Sequence, residues 1–559
     1  MASHAGVVVL SLIESLLAIR FMSYDLLPRY RDESISNAVR VTCIALIVNC
    51  SSLLVWKTVI NPSRKSPFSH LPQPKWFLLR AAFAKFVRTE FIAKISQETP
   101  NTGIIALWEV FRYRLLLTNV DVTTELLVKR PYDFTKVENV RKFMTLLLGS
   151  GLIVLEGDKH KIFRKSSLQA FSYRQVQNLY PSMWEKALRL VDKLHQDIRQ
   201  QHEQQHEQEN GYNAGIVDMA SWAYKVTVDI IGIMVLGLDF NSLSTPDSPL
   251  IQNYKAAIGP GLRLYRIMAV WLSYEFVQKL PWGKNKEFRD SVGAMKNICR
   301  QIVHDKKEEV HSRGVGNDAE ASSDILSHLI ETSAFSDTEL ADQVLTYLIA
   351  GHDTTQSALL WTCYLLCKHP EWQSILRDEV KQGISRLGED AANGRALSDC
   401  FEKLPYLNGV LNEALRLYPI IPLTSRVAVR DTTLGGQAVP KGTEVLISPW
   451  VINRAPSSWG KTADEFDPRR WIDDDGLPNK HGRAANHHDI ATFLHGPRSC
   501  IGVQLAKAEL RCLIGAMACH YEWTLGMPES DMVPGGVVSI APLNGLRLKL
   551  RRVSNGEGD

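Results

Sequence analysis

Phe493-Leu-His-Gly496-Pro-Arg498-Ser-Cys500-Ile-Gly502 sets one cysteine in a glycine-bracketed loop, with an arginine two residues before it. A helix-forming run, Val503-Gln-Leu-Ala-Lys-Ala-Glu-Leu-Arg511, follows directly. Gly496 and Gly502 permit positive φ and a close approach of backbone to a flat ligand. Amides at a helix start, with the positive end of its dipole, stabilise a thiolate. Arg498 presents a forked cation suited to a carboxylate. An iron porphyrin offers what both groups want, a metal for the sulfur and propionates for the guanidinium.

Outward from this loop, Ala350-Gly351-His352-Asp353-Thr354-Thr355 lies inside a long helix candidate, 336–369. Ser336-Asp-Thr-Glu339 reads as its capping box and Pro370 closes it. Two threonines beside an acid and a glycine propagate a helix poorly. Their position predicts a loosened turn in which Thr354 bonds back to the Ala350 carbonyl. That makes a polar notch in an apolar helix, with Gly351 removing the side chain that would block it. Glu413-Ala-Leu-Arg416, in a helix candidate over 405–417, sets opposite charges at i and i+3. Alone it reads as an ordinary surface pair of little energy. Phe466-Asp-Pro468-Arg-Arg470-Trp471 follows about fifty residues later. In Gly157-Asp-Lys-His160-Lys-Ile-Phe-Arg164, His160 and Arg164 share one helix face. Arg426 follows Pro419-Ile-Ile-Pro422.

In chain order these motifs resemble those of the cytochrome P-450 family. The cysteine loop is similar to its F-x-x-G-x-R-x-C-x-G haem signature, and Ala350–Thr355 to its [AG]-G-x-[DE]-T-[ST] distal groove. Glu413 to Arg416 resembles E-x-x-R, and Phe466 to Trp471 resembles F-x-P-x-R-[FW]. The resemblance runs from about residue 62 to 550 and departs at Gln73, Pro497 and Arg469, none of them a ligand. It implies a mainly α fold with small β-sheets and an N-terminal transmembrane anchor. Cys500 would be the axial ligand of haem iron. Phe493, Gly496, Gly502, Arg498, His160, Arg164, Arg426 and Ala350 would frame the cofactor. Asp353 and Thr354 would be the acid and alcohol that deliver protons for dioxygen cleavage. Glu413, Arg416 and Arg470 would form a buried charge cluster serving folding and haem retention, not catalysis.

The chain has 559 residues, 45% hydrophobic and 22% charged, ample for a large core. A net charge of +4 gives nucleic-acid binding no support. Nine cysteines without framework spacing fit a reducing compartment. Residues 1–60 read as a hydrophobic anchor region. Its better span is 41–60; 6–19 is a candidate first helix whose crossing the sequence leaves open. A proline-rich hinge covers 61–75, and Arg64 and Lys65 put its side of the membrane in the cytoplasm. The catalytic domain is expected over 76–552 and a short tail over 553–559. Within the domain, 175–200 has long-helix composition that Pro181 should kink or restart. Short strands are expected between Arg426 and Ile447 and near 537–550.

The implied activity is monooxygenation. One oxygen atom of O2 enters a lipophilic substrate, with electrons from a separate NADPH–cytochrome P-450 reductase and cytochrome b5 as an optional second donor. The segments 142–153, 345–350, 421–425 and 540–544 are expected to line the pocket. The hinge Ser66-Pro-Phe-Ser-His-Leu-Pro-Gln-Pro74 resembles filamentous-fungal microsomal members, which implies an endoplasmic-reticulum protein of secondary-metabolite biosynthesis. Fatty-acid or xenobiotic hydroxylation is the alternative within the class. A reductase-independent haem-thiolate isomerase or dehydratase, or a non-enzymatic haem protein, is the alternative outside it.

Overall fold

The computed structural model describes residues 44–52, 67–75, 77, 88–109, 112–204, 214–245, 247–258, 262, 265, 268, 269, 274–312, 324–536 and 538–553. The candidate helix 6–19, the basic pair Arg64–Lys65 and the tail beyond 553 lie outside them. Of the expected span 41–60, residues 44–52 are described, and they are helical. Ile44, Ile47 and Val48 on it are exposed. Among the described residues one helix is long and apolar enough to cross a membrane, Met219–Leu236, and two thirds of it is buried within the protein. It is a core helix, so the described residues do not show an anchor.

Apolar residues buried on both faces build the first sheet. Strands β1 (Ile104–Glu109) and β2 (Arg112–Leu117) pair antiparallel. The Ala106 amide reaches back to Pro72 of the hinge at 2.9 Å. β3 (Phe134–Thr135) forms the far edge of this sheet. Then come helices α1 (Glu138–Leu148), α2 (Gly157–Leu168) and α3 (Tyr173–Gln204). Pro181 does not restart the last; α3 runs continuously through it. The Gln177 carbonyl, four residues earlier, lies against Gly394, where a Cβ would sit 2.5 Å from it.

Strand β4 (Ala214–Asp218) leads into α4 (Met219–Leu236), where the Asp218 carboxylate accepts from the Ala220 and Ser221 amides. Next are α5 (Pro249–Ile258), α6 (Lys284–Ser312), α7 (Asp337–Lys368) and α8 (Glu371–Ser385). The Ser336–Glu339 capping box opens α7 as expected. Helix α9 (Pro405–Leu417) has its first free amides, Tyr406 and Leu407, capped by the Glu379 carboxylate of α8 at 2.9 and 2.8 Å.

Strands β5 (Thr424–Ala428) and β6 (Glu444–Ile447) complete the first sheet, in the order β1-β2-β6-β5-β3. β2 and β6 are parallel, and their register sets Arg114 opposite Glu444, a buried pair at 2.9 Å. Helix α10 (Val503–His520), buried almost all round, runs into β7 (Tyr521–Leu525). With β8 (Arg547–Arg552) and β4 it makes a three-stranded antiparallel sheet, order β4-β8-β7. The 32-residue α7 is the axis, packed against α4, α6, α9 and α10. The protein is thus mainly α with small β-sheets.

Candidate active site

The cysteine loop is shaped by main-chain contacts. The Cys500 amide donates to the Phe493 carbonyl at 2.9 Å, and the Ser499 amide to that of Gly496 at 3.1 Å. Gly496 has φ +70°, and a Cβ there would meet the Leu127 carbonyl oxygen at 2.2 Å. Its constraint is therefore another stretch of backbone. Gly502 corrects the expectation differently. Its φ is −91°, and a Cβ would touch only Phe171, at 3.9 Å. The positive φ falls instead on Leu494, at 53°.

Gly502 contributes through its backbone at the start of α10, where its amide favours the Cys500 thiolate. Burial pushes the thiol's pKa up, while that amide and the Arg164 charge pull it down. Cys500 nevertheless presents open surface, so the sulfur is deep in the protein yet accessible.

Helix α7 carries a second opening. Ala350 is exposed although Leu348 and His352 on either side are buried. The Thr354 hydroxyl donates to the Ala350 carbonyl at 2.7 Å, as the composition predicts. The helix stays continuous through this bond. Gly351 does not clear the notch. A Cβ there would lie 2.4 Å from Ile231 Cδ1, so the glycine is required by the packing of α7 on α4. Asp353 accepts from the Ser539 hydroxyl at 2.6 Å. Phe171 links the two openings, lying beside Gly502 and edge-on to Tyr347 of α7 with ring centroids 5.1 Å apart.

Cations gather beside the loop. Arg164 donates to the Ser499 carbonyl and hydroxyl at 2.8 and 3.1 Å. Arg498 donates to the Leu155 carbonyl at 2.6 Å and pairs with the Glu156 carboxylate. Arg426 on β5 is buried, held by the Thr424 hydroxyl and Ser425 carbonyl. Lys136 joins them, 3.4 Å from Glu156; no motif had marked either residue. Burial, opposed by Glu156 and assisted by Arg426 and Arg498, lowers the Lys136 pKa to about 8. His160, 3% exposed, is lowered to about 3 by burial and by Arg498, Lys136 and Arg164. Its Nδ1 has no hydrogen-bond partner among the described residues.

The sequence matches the cytochrome P-450 family over residues 70–546. The chain belongs to this family. It is similar to the cytochrome P-450 monooxygenase sphH of Aspergillus fumigatus, 34% identical over 92% of this chain and 93% of that one. It is also similar to the cytochrome P-450 monooxygenase ptmK of Penicillium ochrochloron, 34% identical over 89% of this chain and 96% of the relative.

A cytochrome P-450 is an oxidoreductase that binds haem through a cysteine thiolate. The residues here fit that group. Lys136, Arg426 and Arg498 face a single carboxylate, Glu156, and Arg164 lies beside Arg498. With the orphaned His160 Nδ1 they suit two further carboxylates, the number a haem carries.

The remaining charged residues singled out by sequence form a separate buried group. Arg416 makes a fork–fork pair with Glu413 at 2.8 and 2.7 Å, both fully buried. Glu413 also accepts from the Trp471 indole at 2.9 Å and the Asp467 amide at 3.1 Å. Arg470 lies 3.3 Å from it and donates to Thr462. The surface-pair reading of Glu413 and Arg416 is overturned. Trp471, the [FW] position of the F-x-P-x-R-[FW] motif, is a further member, to which the sequence reading gave no role in the cluster. Asn453 ties this cluster to the loop, donating to the Arg416 carbonyl and accepting from the Ala491 amide.

Proposed function

We propose that this cytochrome P-450 inserts one atom of O2 into a lipophilic organic substrate, with electrons from NADPH through a separate reductase. What carries the reading is the accessible Cys500, whose thiolate the Gly502 amide and the Arg164 charge favour. Cys500 would hold the iron, and Arg498, Arg426, Arg164 and His160, joined by Lys136, would hold the propionates. Bound haem supplies the redox centre that activates dioxygen.

The chain's own work is positioning and proton traffic. Thr354 has its hydrogen committed to Ala350, so its oxygen is free to accept a second hydrogen bond at the open face. Asp353, one residue earlier and fixed by Ser539, is the acid that recharges it. Phe493, Gly496 and Gly502 hold the loop.

The lipophilic substrate rests on the apolar character of the segments 345–350, 421–425 and 540–544. A biosynthetic role, on a terpenoid, alkaloid or polyketide intermediate, is favoured by the fungal relatives and the fungal texture of the hinge. Cytochrome b5 is a second candidate donor. Residues 1–60 are proposed to anchor the chain in the endoplasmic-reticulum membrane, with the hinge 61–75 and the domain 76–552 in the cytoplasm.

Cys500→Ala tests the central assignment. The variant should lose the thiolate-type spectrum of the reduced carbonyl complex and all turnover; a retained spectrum refutes the ligand. Removal of residues 1–60 should release protein from the membrane fraction, and unchanged sedimentation would dismiss the anchor.

A further inference from the structure

His352 sits on α7 beside Gly351, but its ring is turned toward α4 and α5. It is 3% exposed, enclosed edge-on by Tyr224 of α4 and Tyr254 of α5, with centroids 5.4 and 4.9 Å away. Its Nδ1 is 2.9 Å from the Leu348 carbonyl. That nitrogen therefore carries the proton, and Nε2 is a lone pair. Burial lowers the imidazole's pKa against the Asp353 charge, so the ring is neutral.

Two buried polar atoms here lack hydrogen-bond partners among the described residues, His352 Nε2 and the Tyr224 hydroxyl. One is an acceptor without a donor, the other a donor without an acceptor, in rings that touch. Such complementary orphans are the setting in which proteins hold a buried water.

Tyr224 also feels the charge of two carboxylates. Burial first, then Asp247 and Asp353, push its phenol pKa up, so it keeps its proton. Asp247 is on the solvent side, 2.6 Å from Lys255, whose side chain is 48% exposed. The Lys255 ammonium rests over the Tyr224 ring, 4.2 Å from its centroid. Asp353 is on the inner side, held by Ser539.

We propose that Tyr224 and His352 hold one water between the phenol oxygen and Nε2, and that this unit is the port through which protons pass from Asp247 and Lys255 to Asp353. The water accepts from Tyr224 and donates to His352, which meets both unsatisfied groups. In each transfer the water takes the Tyr224 proton and gives its second hydrogen, the one not bonded to Nε2, to the Asp353 carboxylate, and a proton from the Asp247–Lys255 side restores the phenol. Tyr224, the water and His352 end unchanged, and no electrons move. Tyr224 thereby becomes a positioning residue for proton delivery. The inference rests on the acid–alcohol reading of Asp353 and Thr354.

The test uses the full-length holoenzyme with reductase and NADPH. Tyr224→Phe removes one hydroxyl, and Asp247→Asn removes the outer charge from a half-buried site. Both should raise hydrogen peroxide released per NADPH by about threefold, with the haem spectrum and unfolding midpoint unchanged. Unchanged peroxide in both overturns the port. Thr354→Ala separates the two claims. If it diverts electrons to peroxide while the port variants do not, only the port fails; if it diverts none, the acid–alcohol reading fails first. A crystal structure of the holoenzyme gives a readout independent of turnover. One ordered water within about 3.2 Å of both Tyr224 Oη and His352 Nε2 is expected. A Tyr224 hydroxyl bonded elsewhere, or no such water, overturns the proposal.

Discussion

Glu413 accepts from Arg416, Trp471 and the Asp467 amide, while Arg416 spends its other donors on the Asn453, Ala463 and Glu465 carbonyls. Glu156, by contrast, stands alone against Lys136, Arg426 and Arg498, with Arg164 beside them. Both groups are arginine-rich and at least half-buried. The first is satisfied from within the chain, with carbonyls completing what one carboxylate cannot. The second holds more positive charge than the chain itself answers. A closed cluster is built to fold the protein, and an unbalanced one to receive something.

The comparison is broken most easily at the closed cluster. Arg416→Leu strands a fully buried Glu413 and should cost about 3–5 kcal/mol of folding stability. Urea unfolding with the haem bound would read this directly; a midpoint like that of the unmodified protein would mean the pair is dispensable. Arg426→Leu should act in the opposite register. It should weaken haem retention about tenfold, roughly 1.4 kcal/mol, and leave the haem-free chain's urea midpoint where it was. Transfer of haem to an excess of apomyoglobin measures the first, and equal transfer rates would remove Arg426 from the cofactor frame.

A third effect concerns acid. His160 has a folded pKa near 3 against an ordinary 6.5. The unfolded chain therefore binds the proton first, so stability falls as pH drops from about 6.5 toward 3. At pH 5.5 the loss is about 1.4 kcal/mol, one pKa unit's worth. In the haem-free chain, His160→Gln should flatten that limb of a stability-versus-pH curve. A limb of undiminished slope would assign the acid sensitivity to other groups.

The closed cluster was legible because its members recur at fixed spacings along the chain. So was the cysteine loop, where glycine, arginine and cysteine are crowded into ten residues. Lys136 and Glu156 were not legible. They are ordinary isolated charges, and only the packing of the segment before α1 against the start of α2 makes them neighbours of Arg498. The β1–β2 hairpin was hidden for another reason. Ile104, Ile105, Ala106 and Leu107 are all buried, and an apolar run without alternation does not separate strand from helix. Gly351 shows a third kind of failure. The motif was read correctly, but the space its missing side chain leaves is filled by Ile231 of a neighbouring helix.

Gly496 has a consequence for how this protein can change. Its neighbour is the Leu127 carbonyl oxygen, a group that every amino acid at position 127 presents alike. The sulfur's placement is thus gauged against an unmutable atom. Side chains on both segments are free to drift without shifting residue 500, whereas any residue other than glycine at 496 would displace the whole loop from its seat.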